Sequence, residues 1–175
     1  HPDITNAGDY IFRVVPSDAY RAKVFAEYIA NEGYETAGIL YINNQPGTSA
    51  KDNFTKYFEQ YGSKVLISEA YAPNTDNVKT QLIKIKEKNP DILLSVSQVE
   101  DAIVVLRNKT EMNINLPTFF LSEALDDPSV KKNVGSAANG ITYITFASTD
   151  NKISNKFTEK YEGTYGTKPE VFAPE

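Results

Sequence analysis

Asn89-Pro90-Asp91-Ile92-Leu93-Leu94-Ser95-Val96-Ser97-Gln98-Val99-Glu100-Asp101-Ala102-Ile103-Val104-Val105-Leu106 is the stretch whose reading decides the fold. It divides into a strand (Ile92 to Val96), a polar corner (Ser97, Gln98) and a helix opening at Val99. The strand shows no polar alternation before Ser95, as expected of a parallel strand covered on both faces. Ser97 followed three residues later by Glu100 has the form of a capping box, which would fix the corner by reciprocal hydrogen bonds to the backbone. A polar corner at the carboxyl end of a central parallel strand is where open α/β sheets bind ligands.

Working outward, strand and helix patterns alternate. Tyr10 to Val15 has strand composition and is stopped by Pro16. Ser17-Asp18 offers caps for a helix running to about Asn31, with Val24, Tyr28, Phe25 and Ile29 facing inward. Gly33 is placed to end it. Thr36 to Ile42 is a second strand, Asn43 to Gly47 a turn, and Thr48-Ser49 the start of a second helix closed by Gly62. On that helix Phe54, Tyr57, Phe58 and Tyr61 fall on one face at core spacing.

Lys64 to Ala70 is a third strand, and the helix after it carries Val78, Leu82 and Ile85 at i, i+4, i+7. Its lysines, Lys79, Lys84, Lys86 and Lys88, read as a solvated face, since Asp76 and Glu87 interrupt them. Leu116 to Leu121 follows as a fifth strand, then the corner Ser122-Glu123-Ala124, a short helix Asp127 to Val134, a sixth strand Gly140 to Ala147 and a last helix Ser154 to Tyr165 with Phe157 and Tyr161 on one face. This order predicts a doubly wound, mostly parallel α/β sheet with helices on both faces.

Composition narrows the chemistry. The chain has 175 residues, 41% of them hydrophobic, enough for a real core. A net charge of -5 disfavours nucleic acid or an anionic membrane surface as the main partner. No apolar run approaches the length of a membrane-spanning helix. There is no cysteine, and the single histidine is His1, so thiol and histidine triads and Cys or His metal clusters are excluded. Carboxylates, lysines, tyrosines and hydroxyls remain, a poor inventory for an enzyme. The opening residues, His1-Pro2-Asp3-Ile4, read as the middle of a longer chain, with any export signal upstream.

In such a sheet the strand-to-helix corners share one edge: Pro16 to Ala19, Asn43 to Gly47, Tyr71 to Thr75, Ser97-Gln98 and Ser122-Glu123. Helix N-termini aimed at that edge favour a polar or anionic group. No corner has the glycine spacing of a dinucleotide or phosphate loop, so no nucleotide cofactor is expected. The carboxylate pairs Glu100-Asp101 and Asp126-Asp127 sit at helix starts, where capping is their ordinary role. Glu123 differs, because it follows the apolar run Phe119-Phe120-Leu121 and should emerge partly shielded at the edge. A carboxylate there needs a cation, either a local basic side chain or a ligand's ammonium group.

These residues resemble a known family. Phe12-Arg13-Val14-Val15-Pro16-Ser17-Asp18, Gly33-Tyr34 before a strand ending Tyr41-Ile42-Asn43-Asn44, and Gly47 opening a helix follow the pattern of type I periplasmic binding proteins, nearest the leucine/isoleucine/valine-binding branch. Asp76 with Gln81 to Lys86, Asn89-Pro90-Asp91, Gly140 to Ala147, Phe157 to Tyr161, Tyr165-Gly166 and Pro169 extend the match across Asp9 to Pro174.

The resemblance implies one lobe of a two-lobed protein that closes on a small solute for an ABC permease. Residues 9–147 would form the second lobe, and 148–175 the hinge return and the start of the first-lobe segment, so the partner lobe lies outside this chain. It implies a periplasmic or extracytoplasmic location, lipid-anchored or free, with no cofactor and no catalysis. Sensing by a membrane receptor is the alternative use of the same fold.

By resemblance, Glu123 matches the acid that takes the α-ammonium of the amino acid, and Ser17 and Asp18 match a corner near the ligand. Pro46, beside Asn44, falls where the family commonly has an aromatic, and Gln98, after Ser97, where it often has a tyrosine. Those two departures imply a more polar side chain than a plain branched-chain amino acid, or an amide-like solute. The groups gripping the carboxylate are implied on the other lobe.

Overall fold

The computed structural model describes residues 8–12, 16–145 and 152–169. Its elements are α1 (Asp18–Asn31), β1 (Thr36–Ile42), α2 (Gln45–Gln60), β2 (Lys64–Tyr71), α3 (Lys79–Glu87), β3 (Ile92–Val96), α4 (Val99–Glu111), β4 (Thr118–Phe120), α5 (Pro128–Val134), β5 (Thr142–Tyr143) and α6 (Lys152–Tyr165). The strands form one five-stranded sheet in the order β2-β1-β3-β4-β5, with every pairing parallel. After β2 the chain crosses back over β1 to place β3 on its other side. That reversal opens a crevice between the carboxyl ends of β1 and β3, the topological switch point of an open α/β sheet.

Side-chain alternation along the strands builds a separate core on each face. Ala37, Ile39, Ile92, Leu94, Val96, Phe119 and Leu121 face α1 and α2 and pack with Phe25, Ile29, Phe54 and Phe58. Leu40, Ile42, Tyr71, Leu93 and Phe120 face the other way, onto Leu82 and Ile85 of α3 and Ala102, Val105 and Leu106 of α4. Each fully buried leucine or isoleucine in these layers contributes roughly 1.5–3 kcal/mol. Both faces of β3 are therefore covered, and all its residues are buried.

Several expectations need correction. Tyr10 to Phe12 is not a strand, and Tyr10 is 91% exposed; Arg13 to Val15, the rest of that prediction, lies outside the described residues. On α1 Phe25 and Ile29 face inward as expected, but their stripe is completed by Ala22 and Ala26, while Val24 and Tyr28 face solvent. The two alanines let the helix approach the sheet closely, and that close side fixes its rotation. α2 opens at Gln45 rather than Thr48, because the Asn44 side chain accepts from the Gly47 N–H and Pro46 occupies a first-turn position that needs no N–H. Phe54 and Phe58 are buried on it, but Tyr61, just past its end, is partly exposed and donates to Glu27.

The last described strand is only Thr142–Tyr143; Phe146 and Ala147 lie outside the described residues. Gly33 and Gly62 follow α1 and α2 in the left-handed region, where glycine alone is unstrained. Among the described residues, no helix is long and apolar enough to cross a membrane.

Candidate ligand-binding site

At the switch point the ends of β1, β3 and β4 surround an open cleft of about 330 Å³. Its apolar lining comes from Ile42, Val96, Val99 and Leu121, and its polar lining from Asn44, Ser97, Gln98 and Ser122. Among the described residues, its charged ones are Asp18, Arg21 and Glu123. Of the residues singled out from the sequence, Asp18, Asn44, Pro46, Ser97, Gln98 and Glu123 converge on this one cleft. Ser17 does not line it; its hydroxyl caps α1 by accepting from the Tyr20 N–H at 3.1 Å.

Each corner is fixed by local hydrogen bonds. Asn44 Oδ1 accepts from the Gly47 amide at 2.8 Å, and a Cβ on Gly47 would overlap the Ile42 carbonyl oxygen and its side chain. Only glycine lets the start of α2 lie this close to the end of β1. At the β3 corner the capping box is Gln98 with Asp101, one residue later than the predicted Ser97–Glu100 pair, and the Gln98 N–H donates to Asp101 Oδ2 at 3.4 Å. The reason is Ser97, which turns into the protein instead of capping. Its Oγ lies 2.6 Å from Ser95 Oγ and accepts from the Tyr71 hydroxyl at 3.0 Å.

Burial drives the Tyr71 phenol well above its ordinary range, although its bond to Ser97 pulls the other way. Burial also raises Asp101 above the usual carboxylate range, against the Gln98 N–H, which lowers it. Tyr71 and Asp101 thus brace the β3 corner through Ser97 and Gln98.

The β4 corner leads into a short 3-10 turn, Ala124–Asp126. Asp126 does not cap a helix as expected; it accepts from the Tyr143 hydroxyl at 2.7 Å and the Thr145 hydroxyl at 2.5 Å, tying the corner to β5. The Tyr143 phenol is pushed up to about 12, first by that bond to Asp126. Asp127 does cap α5, through the Ser129 N–H. Ser122 Oγ is shielded from solvent and has no hydrogen-bond partner among the described residues.

Glu123 meets a cation, but a local one. Arg21 of α1 donates from Nη2 to Glu123 Oε2 at 2.8 Å, and its Nη1 lies 4.0 Å from Asp18 Oδ1. The Arg21 side chain is 11% exposed and that of Glu123 36%, so the arginine is largely buried in the cleft wall and the carboxylate is partly open to solvent. Sequence reasoning missed Arg21. The available signal was its i+3 spacing from Asp18, which puts both on one face at the start of α1. A cation in a first turn opposes the helix dipole, and two neighbouring carboxylates offset that cost. Among the described residues, no cluster of acids or histidines could hold a metal ion.

A sequence model of the family described as periplasmic binding protein matches residues 2–174. The chain belongs to that family. Solved structures agree on the fold. A putative branched-chain amino acid ABC transporter protein from Rhodospirillum rubrum superposes with a TM-score of 0.90 at 24% identity, over 99% of this chain and 50% of that one. An ABC transporter substrate-binding protein from Desulfitobacterium hafniense, in complex with Leu, gives 0.77 at 21% identity, over 98% and 50%. A solute-binding protein of an ABC transporter from R. palustris, in complex with benzoate, gives 0.76 at 19%, over 93% and 45%. The chain therefore spans about half the length of the solved structures it matches. A comparison with curated proteins gave no match.

Proposed function

We propose that this periplasmic binding protein chain is one lobe of a two-lobed solute-binding component of an ABC transporter. In this reading residues 9–147 form the second lobe and 148–175 the return toward the first. The solute is an amino acid or a related small polar molecule, bound outside the cytoplasm and handed to a membrane permease. Its ammonium group approaches Glu123, its polar atoms meet Asn44, Ser97 and Gln98, and its carbon skeleton lies on Val96, Val99 and Leu121.

One observation carries this reading. A partly exposed carboxylate, oriented by Arg21, stands in a cleft that is partly lined by apolar side chains and whose other corners offer amides and hydroxyls. That arrangement suits a small solute with a cationic end, and closure of a second lobe would strengthen the ion pair by excluding water. The role is binding, not catalysis, as befits a family of solute-binding proteins. No observation favours the sensory use over transport.

The test is thermal unfolding of the full-length protein against a panel of L-amino acids and benzoate. The proposal expects a rise in melting temperature with at least one amino acid. A rise with benzoate alone, or with none of them, would overturn it.

A further inference from the structure

Among the described residues, the polar side chains that line the cleft are engaged within the protein, with one exception. Asn44 Oδ1 accepts from the Gly47 N–H, and Ser97 Oγ meets Ser95 and Tyr71. Gln98 belongs to the capping box of α4, and Arg21 pairs with both Glu123 and Asp18. The exception is Ser122. Its Oγ is shielded from solvent and meets no partner among the described residues, although the residue itself is only half-buried and lines the cleft. A shielded hydroxyl without a partner gives up its hydrogen bonds to water on folding, and native proteins rarely keep one without a use.

The corner around Ser122 is fixed on both sides. The Leu121 N–H donates to the Ser95 carbonyl and the Asp126 N–H to the Glu123 carbonyl, each at 2.9 Å. The Asp126 carboxylate in turn takes the Tyr143 and Thr145 hydroxyls. Those bonds hold the backbone in place, whereas the Ser122 hydroxyl turns about one bond between staggered positions. Next along the chain stands Glu123, one of whose carboxylate oxygens is taken by Arg21. A primary ammonium group brings three N–H donors, more than the remaining carboxylate oxygen satisfies alone, and a hydroxyl oxygen is a second acceptor.

We propose that Ser122 is a solute-contacting and specificity-determining residue: as the site fills, its hydroxyl turns to accept an N–H of the ammonium group bound by Glu123, which selects primary over N-methylated ammonium groups. This rests on the amino-acid reading above. The hydroxyl is kept for binding at a cost to the ligand-free protein, the usual trade between stability and function.

The experiment compares the full-length wild type with Ser122→Ala, by thermal unfolding without ligand and by calorimetry with the amino acid that gives the largest thermal shift. The melting temperature of the ligand-free variant is expected at or above that of the wild type, because a hydroxyl with no partner has been removed. Its affinity should fall by about tenfold, the loss of a hydrogen bond to a charged group. Replacing the amino acid by its N-methyl derivative should cost several-fold less affinity in Ser122→Ala than in the wild type, since the variant needs one N–H fewer.

A variant that loses melting temperature and affinity together marks a structural hydroxyl and overturns the inference. So does a variant that binds within twofold of the wild type, or an equal cost of N-methylation in both proteins. Each of these leaves the binding function standing. A wild type that binds no amino acid overturns the function and the inference together.

Discussion

The Tyr71 hydroxyl donates to Ser97 Oγ at 3.0 Å, joining the end of β2 to the corner after β3 across the width of β1. Ser97 is 4% exposed and also contacts Ser95 Oγ, so the corner rests on a buried chain of hydroxyls. Tyr71→Phe removes the donor while keeping the ring, and is expected to cost about 1–2 kcal/mol in chemical unfolding at neutral pH.

The pH dependence follows from the raised Tyr71 pKa. A phenol raised in the folded state stabilises fully below its unfolded value, about 10, and that contribution is lost as pH rises beyond it. The wild type should therefore lose stability more steeply above about pH 10 than Tyr71→Phe, and the gap between them should narrow there. A gap independent of pH would contradict the assignment.

Gly47 is the close contact between β1 and α2. Gly47→Ala would push a methyl group into the Ile42 carbonyl, and either the helix start must retreat or the Asn44 cap must break. Loss of the cap alone is worth about 1 kcal/mol, and backbone displacement adds to it. The expected result is a lower melting temperature together with weakened solute binding, since Asn44 and Pro46 line the cleft. Unchanged stability would show that the corner accommodates a side chain.

The rotation of α1 is open to direct measurement. Ile29 is fully buried, so Ile29→Ala is expected to cost about 2–5 kcal/mol in denaturant unfolding. Val24 is 40% exposed, and Val24→Ala should cost less than about 1 kcal/mol. Equal costs would contradict the observed rotation of α1, which buries Ile29 and exposes Val24.

The exposure of Val24 and Tyr28 marks one limit of what the sequence made legible. Strand β3 and its corner were plain, because a strand buried on both faces writes consecutive apolar residues, Ile92-Leu93-Leu94, without polar alternation before Ser95. The amphipathic pattern of Val78, Leu82 and Ile85 was equally plain and all three are buried. On α1 Phe25 and Ile29 were read as inward and are buried, but the stripe also includes Ala22 and Ala26, whose small side chains carry little hydrophobic signal, so the larger Val24 and Tyr28 were taken in their place. Glu123 was visible as a carboxylate after an apolar run, but Arg21 was not, because a lone arginine on a helix ordinarily faces water. Only the fold brings residues 102 positions apart to 2.8 Å. The shift of the capping box from Ser97 to Gln98 was hidden for the same reason, since Ser97 is claimed by a tyrosine from another strand.

The central claim is that Glu123 is the counter-ion of the solute. It is tested most directly by titrating the full-length protein, wild type and Glu123→Gln, with the amino acid that gives the largest thermal shift. Gln keeps the shape and removes the charge, so affinity is expected to fall by about tenfold, the loss of a charge-assisted hydrogen bond at a partly exposed carboxylate. A Glu123→Gln protein that folds and binds within twofold of the wild type would contradict the account.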